Sequence, residues 1–407
     1  MFTETRQLFP TFADTNGPAD GERPTAIALL QRYDAGSSFF LGTPERTLLG
    51  SGVRARLTRH PDEPMAAALR RLFADGTQND DTPAIAVGAL PFAPEAHPVL
   101  FIPHRLDAAA PLARHAITRT KAAVRSSETQ ERPTEALYAR RVQQALDLMR
   151  QSTLKKVVLS RMLEVVGEGE IDQAMVLRNL ASRNSAGYTF AVDLPTASGR
   201  VRRLIGASPE LLLQRMGEHV LANPIAGTAP RSNDPGEDLA RSRKLLHSAK
   251  DRHEHELVVK AVAETLRPYC RNLEVPPVPE LIATARVWHL STRIRGKLID
   301  PAPSSFDLAL ALHPTPAVCG EPRDLARRAI EQLEGFDRGL FTGLVGWCDA
   351  NGNGEWAVTI RCAEIEANRA NLYAGAGIVS ESEPWREVAE TAAKFRTLLD
   401  ALQGSGV

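Results

Sequence analysis

Cysteine is scarce in this chain: Cys270, Cys319, Cys348 and Cys362 are the only four in 407 residues, and no two stand at CxxC spacing. That pattern supplies neither a disulfide framework nor a zinc site and fits buried or idle thiols. Net charge is missing as well, since 49 basic residues cancel 49 acidic ones. No Lys/Arg run is long enough to track a phosphate backbone or an anionic membrane surface, so nucleic acid is not an expected partner. No stretch reaches 18 uninterrupted apolar residues, and the polar segment Met1 to Glu22, broken by Pro10 and Gly17, lacks the apolar centre of a signal peptide. The expectation is a cytoplasmic protein without membrane contact. Nucleotide-binding G-x-G-x-x-G and P-loop patterns are also absent.

What the sequence does hold is 43% hydrophobic residues, enough for a large core. Short apolar runs at Phe39 to Leu41, Ala84 to Leu90 and Val99 to Ile102 predict antiparallel strands. Residues from Asp107 to Pro133 look like a surface connection. After an N-cap at Thr134, a helix through Tyr138, Val142, Leu146 and Met149 leads into a strand at Lys156 to Leu159. Two hairpins follow, Tyr188 to Leu194 with Arg203 to Ala207 across the turn 196–199, and Leu211 to Arg215 with His219 to Ala222 around Gly217. One long helix is predicted over Asp238 to Leu266. Strands at Phe341 to Cys348, Trp356 to Ile365 and Leu372 to Ile378 form a meander, and a last helix runs from Glu387 to Leu402. Strands and helices are grouped rather than alternating, which selects an α+β fold with antiparallel sheets over a Rossmann or TIM fold.

Chemistry enters through carboxylates placed at core edges. On the long helix, Leu246, Leu257, Val258 and Val262 mark the apolar stripe and Glu254 lies three and four residues before two of them. On the last helix, Glu387, Glu390 and Lys394 share a face beside the stripe Val388, Thr391, Phe395, Leu398 and Leu402. A solvated charge pair explains either helix alone; two such helices point to a hard divalent cation, because buried carboxylates need a partner and rigid oxygen ligands suit Mg²⁺. The string His253-Glu254-His255-Glu256 is not H-E-x-x-H, which argues against zinc. Lys156 and Ser160 face one side of their strand. The glycines of Asn223 to Thr228 and Tyr373 to Gly377 allow backbone to approach an anion.

Taken in order, Lys156 to Arg161, Gly206 to Glu210, Pro224 to Thr228, Lys250 to Glu256, Trp288 to Leu290, Leu312 to Ala317, Gly354 to Ala363, Gly375 to Val379 and Glu387 to Lys394 resemble the chorismate-utilising enzymes. The likeness runs from about Ser37 to Leu402, while residues 1–36 carry no match. It implies a single domain over 37–402, with antiparallel sheets flanked by helices around one central cleft. Within the family, a lysine at position 156 and a small Ala226 imply that water is the nucleophile. The implied activity is the Mg²⁺-dependent conversion of chorismate to isochorismate, for a siderophore or menaquinone pathway. A salicylate-forming enzyme that also eliminates pyruvate is the nearest alternative, and a catalytically silent chorismate-binding module is another.

The resemblance assigns Lys156 as the base that activates water and Glu210 as the acid that protonates the departing hydroxyl. A neutral lysine and a protonated glutamate at pH 7 require roughly 4 to 5 kcal/mol each from the surroundings. Mg²⁺ is implied on Glu254 and Glu390, with Glu387 acting through water. Substrate binding is implied for Gly227, Thr228, His289, Ala317, Arg361, Gly375, Gly377 and Lys394. No glutaminase subunit and a monomeric state are expected.

Overall fold

The antiparallel strands anticipated from short apolar runs form two large sheets in the computed structural model, which describes residues 24–404 except 35, 61, 77–83, 114–121, 185–186 and 197–198. One sheet of ten strands runs in the spatial order Gly320–Glu321, Lys156–Gly167, Arg369–Ile378, Cys362–Glu366, Arg202–Ser208, Tyr188–Leu194, Ser37–Gly42, Thr47–Ser51 and Arg105–Ala109, with Ser126–Arg132 also paired to the Lys156 strand. The second, of nine strands, runs Cys270–Glu274, Ile294–Leu298, His219–Asn223, Leu211–Met216, Gly354–Val358, Leu344–Asp349, Ile85–Leu90, Val99–Ile102 and Ala55–Arg56. A small third sheet joins Ile225–Pro230, Val287–Ser291 and Glu280–Ala283.

The two large sheets pack face to face through Phe39, Leu41 and Phe190 of the first against Leu211, Val345, Trp347 and Ala357 of the second. Burying each such side chain is worth roughly 1.5–3 kcal/mol. On its outer face the first sheet carries helices that include Gln173–Ala181 and Pro384–Gln403; the second carries Met65–Gly76, Ala249–Leu266 and Ser305–Leu312. The result is an α+β arrangement with helices outside two sheets.

Four expectations are corrected. The predicted single helix is two, Pro235–His247 and Ala249–Leu266, because Ser248 adopts an extended backbone (φ −68°, ψ 116°) and caps the second helix by accepting from the Asp251 amide. Leu246 and Leu257 are consequently only half-buried, and Leu245, Glu254, His255 and Val258 take the inner positions. The stretch Trp356 to Ile365 is also two strands: the chain breaks at Thr359 to Arg361, where Arg361 has φ +51°, and passes from one large sheet to the other. Residues 107–133, read as a surface connection, contribute the strands Arg105–Ala109 and Ser126–Arg132; part of that stretch lies outside the described residues. Finally, Ala26–Arg32 forms a helix whose Leu29 and Leu30 enter the core of the first sheet, so the packed body begins before residue 37. Its sequence signal was only seven residues long, too short for periodicity to register.

Cysteines behave as expected: Cys319, Cys348 and Cys362 are buried thiols and Cys270 is half-buried. No helix among the described residues is long and apolar enough to cross a membrane.

Candidate active site

The strands Lys156–Gly167 and Arg369–Ile378 are paired with Val158 opposite Gly377 and Ser160 opposite Gly375. Period-two alternation therefore puts Lys156, Val158, Ser160, Gly375 and Gly377 on one face. The other face, with Val157, Leu159, Ala376 and Ile378, is buried in an apolar cluster under the helices Glu135–Gln151 and Arg323–Leu333. Glycine is required at 377, because a Cβ there would stand 2.1 Å from Glu254 Oε1 and 3.0 Å from Lys156 Cε. The helix Ala249–Leu266 reaches this face by crossing the strand Ile225–Pro230 at Gly227, whose φ of +73° and missing side chain let Asp251 lie against it.

Every candidate carboxylate of the two helices is paired with an ammonium. Lys156 Nζ lies 3.0 Å from Glu254 Oε1, at ion-pair distance but off the line of a hydrogen bond. Lys250 donates to Glu387 at 2.6 Å, and Lys394 donates to Glu390 at 2.6 Å and to the Gly375 carbonyl at 2.8 Å. Burial alone would raise Glu254, yet the charges of Lys156 and Lys250 outweigh it and hold this carboxyl below its usual range. Burial and the neighbouring Glu390 push Glu387 up to about 7, against the pull of Lys250. Its Oε2 is buried without a well-formed hydrogen bond.

A cavity with about 560 Å³ of empty space opens beside these pairs. One side is polar, with Glu210, Glu254, Glu390, Lys394, Arg361 and His289; the other is apolar, with Val158, Val318, Phe341, Ile360 and Tyr373. Phe341 and Tyr373 are stacked at 5.0 Å. Glu210 is 3% exposed, and burial, which favours the protonated carboxyl, pushes its pKa up to about 8 despite the opposing charge of Lys156. His289 is held well below its ordinary value by burial and by Arg361. Arginine has no acceptor, so the 3.1 Å contact from Arg361 Nη2 fixes His289 Nε2 as the unprotonated nitrogen. Nδ1 then donates to the Gly227 carbonyl at 3.1 Å, with Thr228 Oγ1 at 3.2 Å. The ring is thereby a fixed polar wall without a transferable proton.

Of the residues singled out in the sequence, Glu210, Gly227, Thr228, Glu254, His289, Ala317, Arg361, Gly375, Gly377, Glu390 and Lys394 all line this cavity. Lys156 and Glu387 do not; both are fully buried, Lys156 beside the cavity-lining Glu254 and Glu387 paired with Lys250. Gly375 and Gly377 sit inside the strand Arg369–Ile378, where the predicted strand Leu372 to Ile378 put them. Sequence reasoning missed the apolar wall, above all Thr342, a β-branched residue at φ +59° that also lines the cavity. The pairing of Lys250 had one available signal, its position four residues before Glu254 on a helix.

No three His, Cys, Asp or Glu among the described residues already converge as an ion cage. His253 is exposed while His255 is buried against Thr292, which disposes of the zinc pattern. For Mg²⁺, the chemistry of the donors fits: two mutually repelling carboxylates, a third beside them, and a buried carboxylate oxygen without a partner.

Comparison with known proteins gives a consistent result. The family described as chorismate binding enzyme matches residues 86–403. The chain is 46% identical to isochorismate synthase DhbC of Bacillus subtilis, over 92% of this chain and 95% of that one. It is 44% identical to the vibriobactin-specific isochorismate synthase of Vibrio cholerae, over 90% and 91%. A crystal structure of a DhbC from Bacillus anthracis, described as a putative 2,3-dihydroxybenzoate-specific isochorismate synthase, superposes with a TM-score of 0.88 at 45% identity, covering 93% of this chain and all of that one.

Proposed function

Since the chain belongs to the chorismate-binding enzymes, we propose that it is an isochorismate synthase that adds water at C2 of chorismate and expels the C4 hydroxyl. The observation that carries this reading is Glu210: a carboxyl on the cavity wall whose burial favours the protonated form, the form that can deliver a proton to a leaving hydroxyl. In the proposed reaction Lys156 takes a proton from water, the hydroxide forms the C2–O bond, and the ring double bonds shift. In the same movement the C4–O bond breaks and Glu210 protonates the departing oxygen as water, so the net change is an isomerisation. Arg361 and Lys394, which line the cavity, would neutralise substrate carboxylates, and the stacked Phe341 and Tyr373 would offer the ring an apolar surface.

Glu254 and Glu390, with Glu387 behind them, are the residues that would hold Mg²⁺, whose charge would draw in a substrate carboxylate. Lys156, Lys394 and Lys250 pair with Glu254, Glu390 and Glu387 respectively. A divalent cation held there would share the Glu254 carboxylate with Lys156. The product would serve siderophore or menaquinone synthesis.

The test is incubation of the purified protein with chorismate and Mg²⁺, with products separated by chromatography and controls containing EDTA or Lys156→Ala. Isochorismate in equilibrium with chorismate, lost in both controls, supports the proposal. Unchanged chorismate sinks it, and pyruvate release without an added lyase moves the protein to the salicylate-forming type.

A further inference from the structure

Behind the apolar side of the cavity lies a buried ion pair that the reaction does not use. Arg338 and Glu334 are each 3% exposed. Arg338 Nε donates to Glu334 Oε2 at 2.8 Å and Nη2 to Oε1, while Glu334 Oε1 also accepts the Ser160 amide at 2.7 Å. The remaining donors go elsewhere: Nη2 to the Val158 carbonyl at 2.8 Å, Nη1 to the Val318 carbonyl at 2.7 Å and Nη1 to Thr342 Oγ1 at 3.2 Å. All five N–H groups of the guanidinium are thus used. Its flat face lies 4.5 Å from the Phe92 ring.

Those last three acceptors belong to three chain segments distant in sequence, and Val158, Val318 and Thr342 all line the cavity. A buried pair is weak evidence of stabilisation by itself, since apolar residues of similar volume often do as well. What only a five-donor fork provides here is simultaneous registration of three walls. Thr342 makes the point: a β-branched residue at φ +59° is strained, and Arg338 together with the Thr342 amide bond to the Thr359 carbonyl at 2.8 Å holds it there.

We infer that Arg338, seated on Glu334, is a positioning residue for the reaction: it sets the apolar wall of the cavity against the strand that carries Lys156. This rests on the proposed activity for its kinetic consequence, but not for its structural one.

The experiment compares wild type with Arg338→Lys, which keeps a charge on Glu334 and gives up the fork. A second variant, Glu334→Gln/Arg338→Met, leaves no unpaired buried charge if the first fails to fold. A misplacement of about 1 Å in a reactive geometry costs on the order of 100-fold. The expected result is kcat lower by about 10- to 100-fold per folded molecule, with KM for chorismate changed less than about threefold. Hydrogen exchange should rise locally at residues 157–161, 315–320 and 338–343. Wild-type kcat in the folded variants, or exchange raised evenly through the whole chain, would overturn the inference. Absence of chorismate turnover in wild type strikes the proposed function instead, and the local exchange pattern still decides the positioning.

Discussion

Gly377 and Glu254 are in such close apposition that a single methyl group on the glycine would stand 2.1 Å from the carboxylate oxygen that faces Lys156. The pairing of the base candidate with a cavity-lining carboxylate therefore depends on a residue with no side chain of its own.

Gly377→Ala is expected to separate Glu254 from Lys156 and to lower kcat by about 100-fold or more, at a stability cost of about 1–3 kcal/mol. Gly375→Ala is the control: its Cβ would meet the Ser160 hydroxyl at 2.6 Å, a group that rotates away, so a smaller loss is expected. Steady-state kinetics and thermal unfolding of the two variants, side by side, check both. Equal losses would remove the special role of position 377.

Glu210→Gln preserves shape and neutrality but has no acidic proton, so kcat should fall by about 100- to 10,000-fold with chorismate binding retained. In wild type the folded pKa, about 8, lies above the ordinary 4.5. The protonated form is therefore the one the fold favours: activity falls as pH rises through about 8, and this group's contribution to stability, full below about 4.5, declines from there and is gone by about 8. Melting curves from pH 6 to pH 9.5 should show wild type losing stability relative to Glu210→Gln. Parallel curves would refute the assignment.

His289 is pinned neutral between Arg361 and Gly227. Replacing it with Gln should raise KM by about tenfold, through a loosened Arg361, and leave the shape of the pH–rate profile unchanged. A limb of the profile near pH 6 that vanishes in the variant would show that the ring does titrate.

Lys250→Met leaves Glu387 without its counter-charge, and the expected loss, measured without divalent ions, is about 1–3 kcal/mol. Mg²⁺ should then raise the melting temperature of the variant more than that of wild type, because the ion no longer competes with the ammonium. An equal rise in both proteins would remove Glu387 from the ion site.

Much of the site was legible because its residues declare themselves locally. Glu254 beside Val258, and Glu390 four residues before Lys394, are helical patterns that any reader of periodicity meets, and the resemblance to chorismate-utilising enzymes added Glu210 and Arg361, which periodicity does not mark. What stayed hidden depends on contacts between distant segments. Thr342 is an ordinary threonine until Arg338 holds it in a left-handed conformation. The break at Arg361 was invisible because Trp356 to Ile365 holds neither Gly nor Pro to mark a turn, and a strand-like run does not say which of two sheets receives each half. Ser248 hid in the same way: Leu246 and Leu257, eleven residues apart, keep the helical rhythm across it, while its own cap divides the helix.

The helix that carries Glu387, Glu390 and Lys394 is the last of the site's elements to be synthesised. A chain stopped just after Ile378 therefore holds the strands of both large sheets, Lys156, Glu210 and Glu254, and lacks Glu387, Glu390 and Lys394. The same helix buries Phe395, Leu398 and Leu402 in the core of the first sheet, so the residues that complete the site and the residues that close that core arrive together.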